Sequence, residues 1–244
     1  LKPFLIIQLR PEDEAADEEY AALLARSGLT AAETRRIRLD QQALPALSLE
    51  AYSGVIVGGG PGCVSDAPED KDPLEARIEA DILSLMPEIT RRDMPYMGCC
   101  YGLGILAKHL GGEVSKARYG EPIGAVECRL TENGAADPLM AGLPRDFKAF
   151  VGHKEAVQAL PPGAVHLARS DLCPYQMIRA GKNLYATQFH PEADSASFVM
   201  RIDIYRHRGY FAPEEADALK ANVQAEEVTV PERMLRAFVG RYRG

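Results

Sequence analysis

The stretch Met97-Gly98-Cys99-Cys100-Tyr101-Gly102 limits the folds open to this chain more than any other. Met94-Pro95-Tyr96-Met97 leads into it as a short apolar strand. Leu103, Leu106 and Leu110 then recur at helical spacing until Gly111-Gly112 ends the helix. A strand that passes at once into a helix, with a glycine two residues to either side of one central residue, has the pattern Gly-x-nucleophile-x-Gly. Glycine is needed there because strand and helix approach so closely that a β-carbon would clash. The central residue is held in a strained conformation with its side chain clear of the strand end. Gly98 and Gly102 flank Cys100 symmetrically, whereas centring on Cys99 would require glycine at Met97 and Tyr101. Cys100 is therefore the candidate nucleophile and Cys99 a buried strand residue. A helix N-terminus favours negative charge, so the position is expected to lower the Cys100 pKa. The competing reading is a structural pair of buried cysteines.

Composition narrows the function classes. The 244 residues fit one α/β domain with appendages, and 28 basic against 35 acidic residues give a net charge of −7. That balance argues against nucleic acid as a partner, since phosphate binding needs a basic face. Five cysteines without a Cys-x-x-Cys pair fit neither a disulfide framework nor a zinc site, and point to a reducing, cytoplasmic setting. The apolar start Leu1 to Leu9 is short for a signal peptide, and no stretch reaches the length of a membrane span.

Along the chain, Phe4 to Ile7, Arg36 to Leu39 and Gly54 to Val57 read as strands, with an acidic-headed helix over 12–27 between the first two. The acids of that helix read as a solvated first turn ahead of the alternative, a docking surface. Gly58-Gly59-Gly60-Pro61-Gly62 follows the third strand. It fails the dinucleotide pattern at Cys63 and lacks the Lys-Ser/Thr of a nucleotide loop, so it reads as backbone with N–H groups free for a ligand. Leu74, Ile78, Ile82, Leu85 and Ile89 mark a long amphipathic helix before the elbow. Alternating strands and helices predict a doubly wound, mostly parallel sheet of flavodoxin-like order, with ligands at the carboxyl ends of its strands. Beyond Gly120, short strands are expected over 126–130, 147–151, 165–168, 176–179 and 184–188, some antiparallel. A helix from Phe198 through Tyr205 follows, with His207 in a late helix. A helical extension is expected over 211–244, packed on a main domain of 1–210. Pro213 opens its first helix, and Thr229 with Glu232 opens its last in a capping box.

A cysteine nucleophile needs a base and a group to orient it. His190 and Glu192 end a strand on the edge where Cys100 should lie. His190 can take and return the proton while Glu192 fixes its tautomer. A His-x-Glu pair also fits a metal site or a structural histidine. His109 and His166 are poorer bases, and His153 stays open as a substrate contact.

Together, Gly58-Gly59-Gly60-Pro61-Gly62, Gly98-Cys99-Cys100-Tyr101-Gly102 and Gln188-Phe189-His190-Pro191-Glu192 resemble, in order and spacing, the three signature segments of class I glutamine amidotransferases. The likeness covers roughly 4–205 and is nearest to the amidotransferase domain of GMP synthase and its stand-alone relatives. It implies a Cys100–His190–Glu192 triad and an oxyanion hole from the backbone N–H groups of Gly60 and Tyr101. Gly59, the position of Gly104, and His153 would fall among the substrate contacts. The implied reaction releases ammonia from the glutamine side-chain amide through a γ-glutamyl thioester, with neither cofactor nor metal.

Two departures bear on the substrate. The family commonly has glutamine four residues after the nucleophile, where this chain has Gly104. The second contact loop reads Gly152-His153-Lys154-Glu155, with Lys-Glu where Gly-Asp is common. No pyrophosphatase loop or synthetase domain is present in these residues. Three readings stand: a glutaminase feeding an ammonia acceptor in trans, a free-standing hydrolase of other γ-glutamyl amides, and a non-catalytic regulatory subunit. The arginine-flanked stripe of Leu235, Phe238, Val239 and Tyr242 reads as a docking face for a partner, as a homodimer contact, or as part of the domain's own core.

Overall fold

The computed structural model describes residues 1–244. In chain order the elements are β1 (Phe4–Gln8), α1 (Asp13–Ser27), β2 (Thr34–Arg38), β3 (Gly54–Val57), α2 (Pro73–Arg91), β4 (Tyr96–Cys99), α3 (Tyr101–His109), β5 (Glu113–Ser115), β6 (Gly124–Leu130), α4 (Glu132–Ala136), β7 (Asp146–Val151), β8 (Ala156–Ala159), β9 (Val165–Ser170), β10 (Met177–Ala180), β11 (Leu184–Thr187), α5 (Ser195–Ile204), α6 (Ala216–Gln224) and α7 (Val230–Tyr242). Nine strands form one sheet in the order β2-β1-β3-β4-β11-β10-β9-β6-β7. The pairs from β2 through β11 are parallel, and those from β11 to β7 are antiparallel. β5 and β8 make a separate antiparallel pair that the sequence pattern did not reveal.

Strand alternation divides the core. Leu5, Ile7, Val55 and Val57 face one side with the α2 residues Ile78, Ile82 and Ile89, while Phe4, Ile6, Ile56 and Met97 face the other. Both faces of the parallel half are therefore apolar, as its continuous hydrophobic strands require. α2 begins at Asp72, whose side chain accepts from Leu74 N at 2.8 Å, with Pro73 in the first turn.

The C-terminal region differs in detail from the sequence expectation. α5 ends at Ile204, so His207 lies in the following turn rather than in a helix. Pro213 opens a short 3₁₀ turn ahead of α6. No capping box forms at Thr229: its side chain caps nothing, and Glu232 instead bonds Arg26 of α1 at 2.9 Å. Leu235, Phe238 and Val239 are buried in the same core as Phe4 and Tyr185, and Phe238 makes aromatic contacts with both of those residues. Arg233, Arg236 and Arg243 bond backbone carbonyls of Gly142, Arg26 and Gly28. The stripe is thus packed within the chain rather than offered as a docking face.

β4 delivers Cys100 to the sheet edge, and β11, paired to it with Thr187 opposite Cys99, delivers His190 beside it. Thr187 O accepts from Cys100 N at 2.7 Å, and His190 N donates to Phe150 O at 3.0 Å. The elbow is tight: a β-carbon on Gly98 would lie 2.7 Å from Gly102 O and 2.7 Å from Tyr96 Cε1. Gly98→Ala is expected to destabilise by about 2–3 kcal/mol through that overlap. Gly120→Ala, where nothing lies within 4 Å, is expected to be nearly neutral. Urea unfolding midpoints compare the two, and equal midpoints would contradict the tight elbow.

Candidate active site

Cys100 is the hinge between β4 and α3, with φ 52° and ψ −97°. Such a conformation is costly for a residue with a β-carbon, and flanking contacts hold it. Its thiol is buried, donating to Gly152 O at 3.8 Å and accepting from Gln188 Nε2 at 3.9 Å. The expected depression of its pKa is not found. Burial pushes the thiol up to about 12, opposed by Arg10 and reinforced by Glu192 and Glu155. A helix N-terminus offsets at most about 2 kcal/mol, so the thiol is protonated at neutral pH. Cys99 is fully buried in the strand.

His190 and Glu192 lie just past β11. His190 Nδ1 is 2.9 Å from Glu192 Oε1, and Arg201 Nη1 on α5 donates to the same oxygen at 2.8 Å. Arg201 Nη1 also lies 3.2 Å from His190 Nδ1. A carboxylate only accepts, so Nδ1 carries its proton and the two nitrogens are parallel donors to one oxygen. Nε2 is left as the acceptor of the ring. Burial lowers the His190 pKa despite Glu192 pulling it up. Burial alone would raise the Glu192 carboxyl, but His190 and Arg201 prevail and hold it well below the usual carboxylate range. Glu192 Oε2 is buried without a hydrogen-bond partner. Cys100 and His190 line one cavity and make no hydrogen bond to each other.

The glycine loop is less free than its sequence suggests. Gly58 N donates to Ile7 O at 3.0 Å, and Gly59 N donates to Glu19 Oε1 at 2.9 Å. Gly60 N makes no hydrogen bond within the protein. Tyr101 supplies the first N–H of α3, which has no acceptor within its own helix. Gly60 and Tyr101 are adjacent, since a β-carbon on Gly60 would sit 3.2 Å from Tyr101 Cδ1.

The acids of α1 are not all solvated. Glu19 is fully buried and binds Arg10 Nε at 3.0 Å, while Glu18 accepts from Arg201 Nη2 at 3.0 Å. Arg10 Nη1 donates to Tyr205 OH at 3.0 Å. A β-carbon on Gly59 would lie 2.7 Å from Arg10 Nη2 and 2.9 Å from His190 Cε1. Arg10, Glu19 and Arg201 went unnoticed in the sequence. A signal was present for Arg201, which shares the inward face of α5 with Phe198 and Ile202.

His153 and the Gly104 position, expected with Gly59 among the substrate contacts, are also engaged within the chain. His153 Nδ1 faces Glu155 O at 2.9 Å and its Nε2 faces Glu121 Oε2 at 2.9 Å, so neither ring nitrogen is free. The Glu121, His153 and Cys173 donor atoms lie within 4.8 Å of one another, as a metal would need. The Glu121 carboxylate is nonetheless saturated by His153, Ser170 and Gln176. At Gly104, Glu155 fills the vacant space: a β-carbon there would stand 3.1 Å from Glu155 Oε1. The carboxylate is fixed by Val64 N at 2.8 Å and Ser65 N at 2.9 Å.

The family model for class-I glutamine amidotransferases matches residues 17–202. The chain belongs to the class I glutamine amidotransferase family. Among this family, a subunit of the glutamine-hydrolysing GMP synthase of Archaeoglobus fulgidus is 30% identical over 171 residues, which is 70% of this chain and 81% of that protein. The glutamine-hydrolysing GMP synthase of Thermomicrobium roseum is 35% identical over 177 residues, 71% of this chain but 30% of the relative. This amidotransferase chain thus matches under a third of that longer protein. A glutamine amidotransferase crystal structure from Thermotoga maritima shares the fold, with TM-score 0.78 and 21% identity over 99% of this chain and 98% of that one. No helix of this family member is long and apolar enough to cross a membrane.

Protonation at His190 and Glu192 should couple to folding. Both groups have lowered folded-state pKa values, so the unfolded chain binds protons more readily. Their contribution is complete above the unfolded imidazole pKa of about 6.5. It is lost as pH falls, through His190 first and Glu192 at more acidic pH. The melting temperature should therefore drop more steeply from pH 7 to pH 4 in the parent than in a His190→Gln, Glu192→Gln double variant. Parallel pH profiles would contradict this coupling.

Proposed function

We propose that the chain is a cysteine-dependent glutaminase, hydrolysing the side-chain amide of glutamine or a related γ-glutamyl amide. The observation that carries the reading is the His190–Glu192 pair at 2.9 Å, opening on the same cavity as the positive-φ Cys100. Because burial keeps the Cys100 thiol protonated, proton transfer accompanies attack instead of preceding it. Sγ bonds the amide carbon as its proton passes to His190 Nε2. The N–H groups of Gly60 and Tyr101 receive the developing oxyanion. His190 then returns the proton to the departing nitrogen as the C–N bond breaks, leaving a γ-glutamyl thioester. Water, deprotonated by His190, releases glutamate and restores the thiol. Glu192 and Arg201 hold the imidazole in its working tautomer and offset its charge.

In the glutaminase reading, the likeness to a protein named as a subunit of GMP synthase supports an ammonia acceptor acting in trans. The simplest test is ammonia release from glutamine by the isolated chain. Cys100→Ala should lower kcat at least a thousandfold and abolish labelling by a glutamine-mimicking electrophile, while Cys99→Ala keeps most activity. Labelling at Cys99, or equal loss in both variants, overturns the assignment. Glu192→Ala should be milder than His190→Ala, since it orients the base rather than moving the proton.

A second reading, hydrolysis of another γ-glutamyl amide, is favoured by Glu155 standing where a side chain at 104 would reach. Gly104→Gln would displace Glu155 from Val64 and Ser65. It should therefore raise the KM for any γ-glutamyl substrate several-fold, which steady-state kinetics would read. A lowered KM for glutamine would instead mean that the pocket lacks only the family's usual side chain.

A further inference from the structure

Tyr210 divides the space above Cys100 into two compartments. It sits in the turn after α5, donates its hydroxyl to Gly60 O at 3.3 Å, and packs its ring 5.6 Å from that of Tyr205. One compartment is lined by Tyr101, His153, Lys154, Glu155 and Gln188. The other is lined by His190, Ile123, Phe198, Ile202 and Phe211, with Arg10 and Arg201 at its margin. Cys100, Gly60 and Tyr210 border both.

The chemistry assigns the two sides. The first compartment carries a fixed carboxylate in Glu155 and, in Lys154, an ammonium with no carboxylate at ion-pair distance, resting 5.0 Å over the Tyr210 ring. One anion and one cation suit the α-ammonium and α-carboxylate of a glutamyl group. The second compartment alone contains His190. A base that returns a proton to the leaving nitrogen must have that nitrogen, and whatever it carries, on its own side.

Ammonia needs no apolar wall, yet Ile123, Phe198, Ile202 and Phe211 line the side on which the nitrogen leaves. The cations at its margin are already committed, Arg10 to Glu19 and Tyr205, and Arg201 to Glu192 and Glu18. We propose that this second compartment is a binding site for the uncharged alkyl or aryl substituent of an N-substituted γ-glutamyl amide. The proposal rests on Cys100 and His190 acting as nucleophile and base. The reaction balances as γ-glutamyl-NH-R plus water giving glutamate and R-NH₂. The Sγ–C bond forms, the C–N bond breaks, and the nitrogen takes the proton from His190. A cationic amine is disfavoured by Arg10 and Arg201, and a bare amide leaves the apolar wall unused.

The test compares glutamate release by the purified chain from γ-glutamyl-n-butylamide, γ-glutamylanilide and glutamine. Expected is a kcat/KM at least tenfold higher for the butylamide or the anilide than for glutamine. Phe211→Asp should lower the butylamide-to-glutamine ratio at least tenfold, and Phe211→Leu should largely preserve it. Preference for glutamine in the parent, or a ratio unchanged by Phe211→Asp in a folded variant, overturns the compartment while leaving the nucleophile standing. No glutamate from any substrate, together with no electrophile labelling at Cys100, overturns the compartment and the nucleophile together.

Discussion

A carboxylate with no solvent exposure at Glu192 sets the terms for everything around it. Taking such a charge out of water costs several kcal/mol unless well-placed partners come with it. Here the compensating groups come from the same loop and from two helices. His190 lies two residues away, Arg201 comes from α5, and Glu18 on α1 neutralises the other face of Arg201. A parallel pair, Arg10 with Glu19, crosses the glycine loop next to it. Docking of α1 and α5 and the orientation of the imidazole are thus parts of one electrostatic arrangement.

That arrangement gives the glycine run a different purpose from the one its sequence suggests. β-Carbons on Gly58 and Gly59 would run into the Glu19 carboxylate, the Arg10 guanidinium and the His190 ring. Glycine is required there so that buried side chains can pass close to the backbone. Two of the three N–H groups are already used for anchoring, and Gly60 keeps its N–H free. The loop is better described as a crossing point for charges than as a cradle for phosphate.

The elbow, the parallel half of the sheet and the His-x-Glu segment were legible because each is local: a glycine register, a hydrophobic period, a two-residue spacing. The buried network was not, because Glu18 and Arg201, for instance, stand 183 residues apart and each looks like an ordinary surface charge alone. Glu18 and Glu19 sit in an acidic run whose usual meaning is a solvated helix start, and only the tertiary position of Arg10 and Arg201 reverses it. The sign of the Cys100 shift was missed for a related reason. A helix N-terminus is readable from sequence, whereas the burial that outweighs it depends on Tyr210, Gln188 and Gly152 closing over the thiol. The Thr229 capping box failed because Glu232 had a better partner in Arg26.

Glycine at 104 lets Glu155 stand where a side chain of α3 would otherwise reach. A glutamine at 104 would offer a neutral amide from the first turns of α3. Glycine there leaves space for Glu155, which arrives from the loop between β7 and β8 and is pinned by two backbone N–H groups. Pinning matters because a loop-borne carboxylate would otherwise lose rotamer freedom on meeting a ligand. His153 serves the same end: its ring, held between Glu155 O and Glu121, fixes the backbone from which Glu155 projects. In the proposed reading, His153 lines the substrate pocket and holds Glu155 in place within it. On that reading the pocket is charged, rather than neutral, at the point where it would meet an α-ammonium group. A charged acceptor in a buried site discriminates more sharply than a neutral amide, so in that reading Glu155 would select for a free amino acid head and leave the amine side of the scissile bond to the apolar compartment.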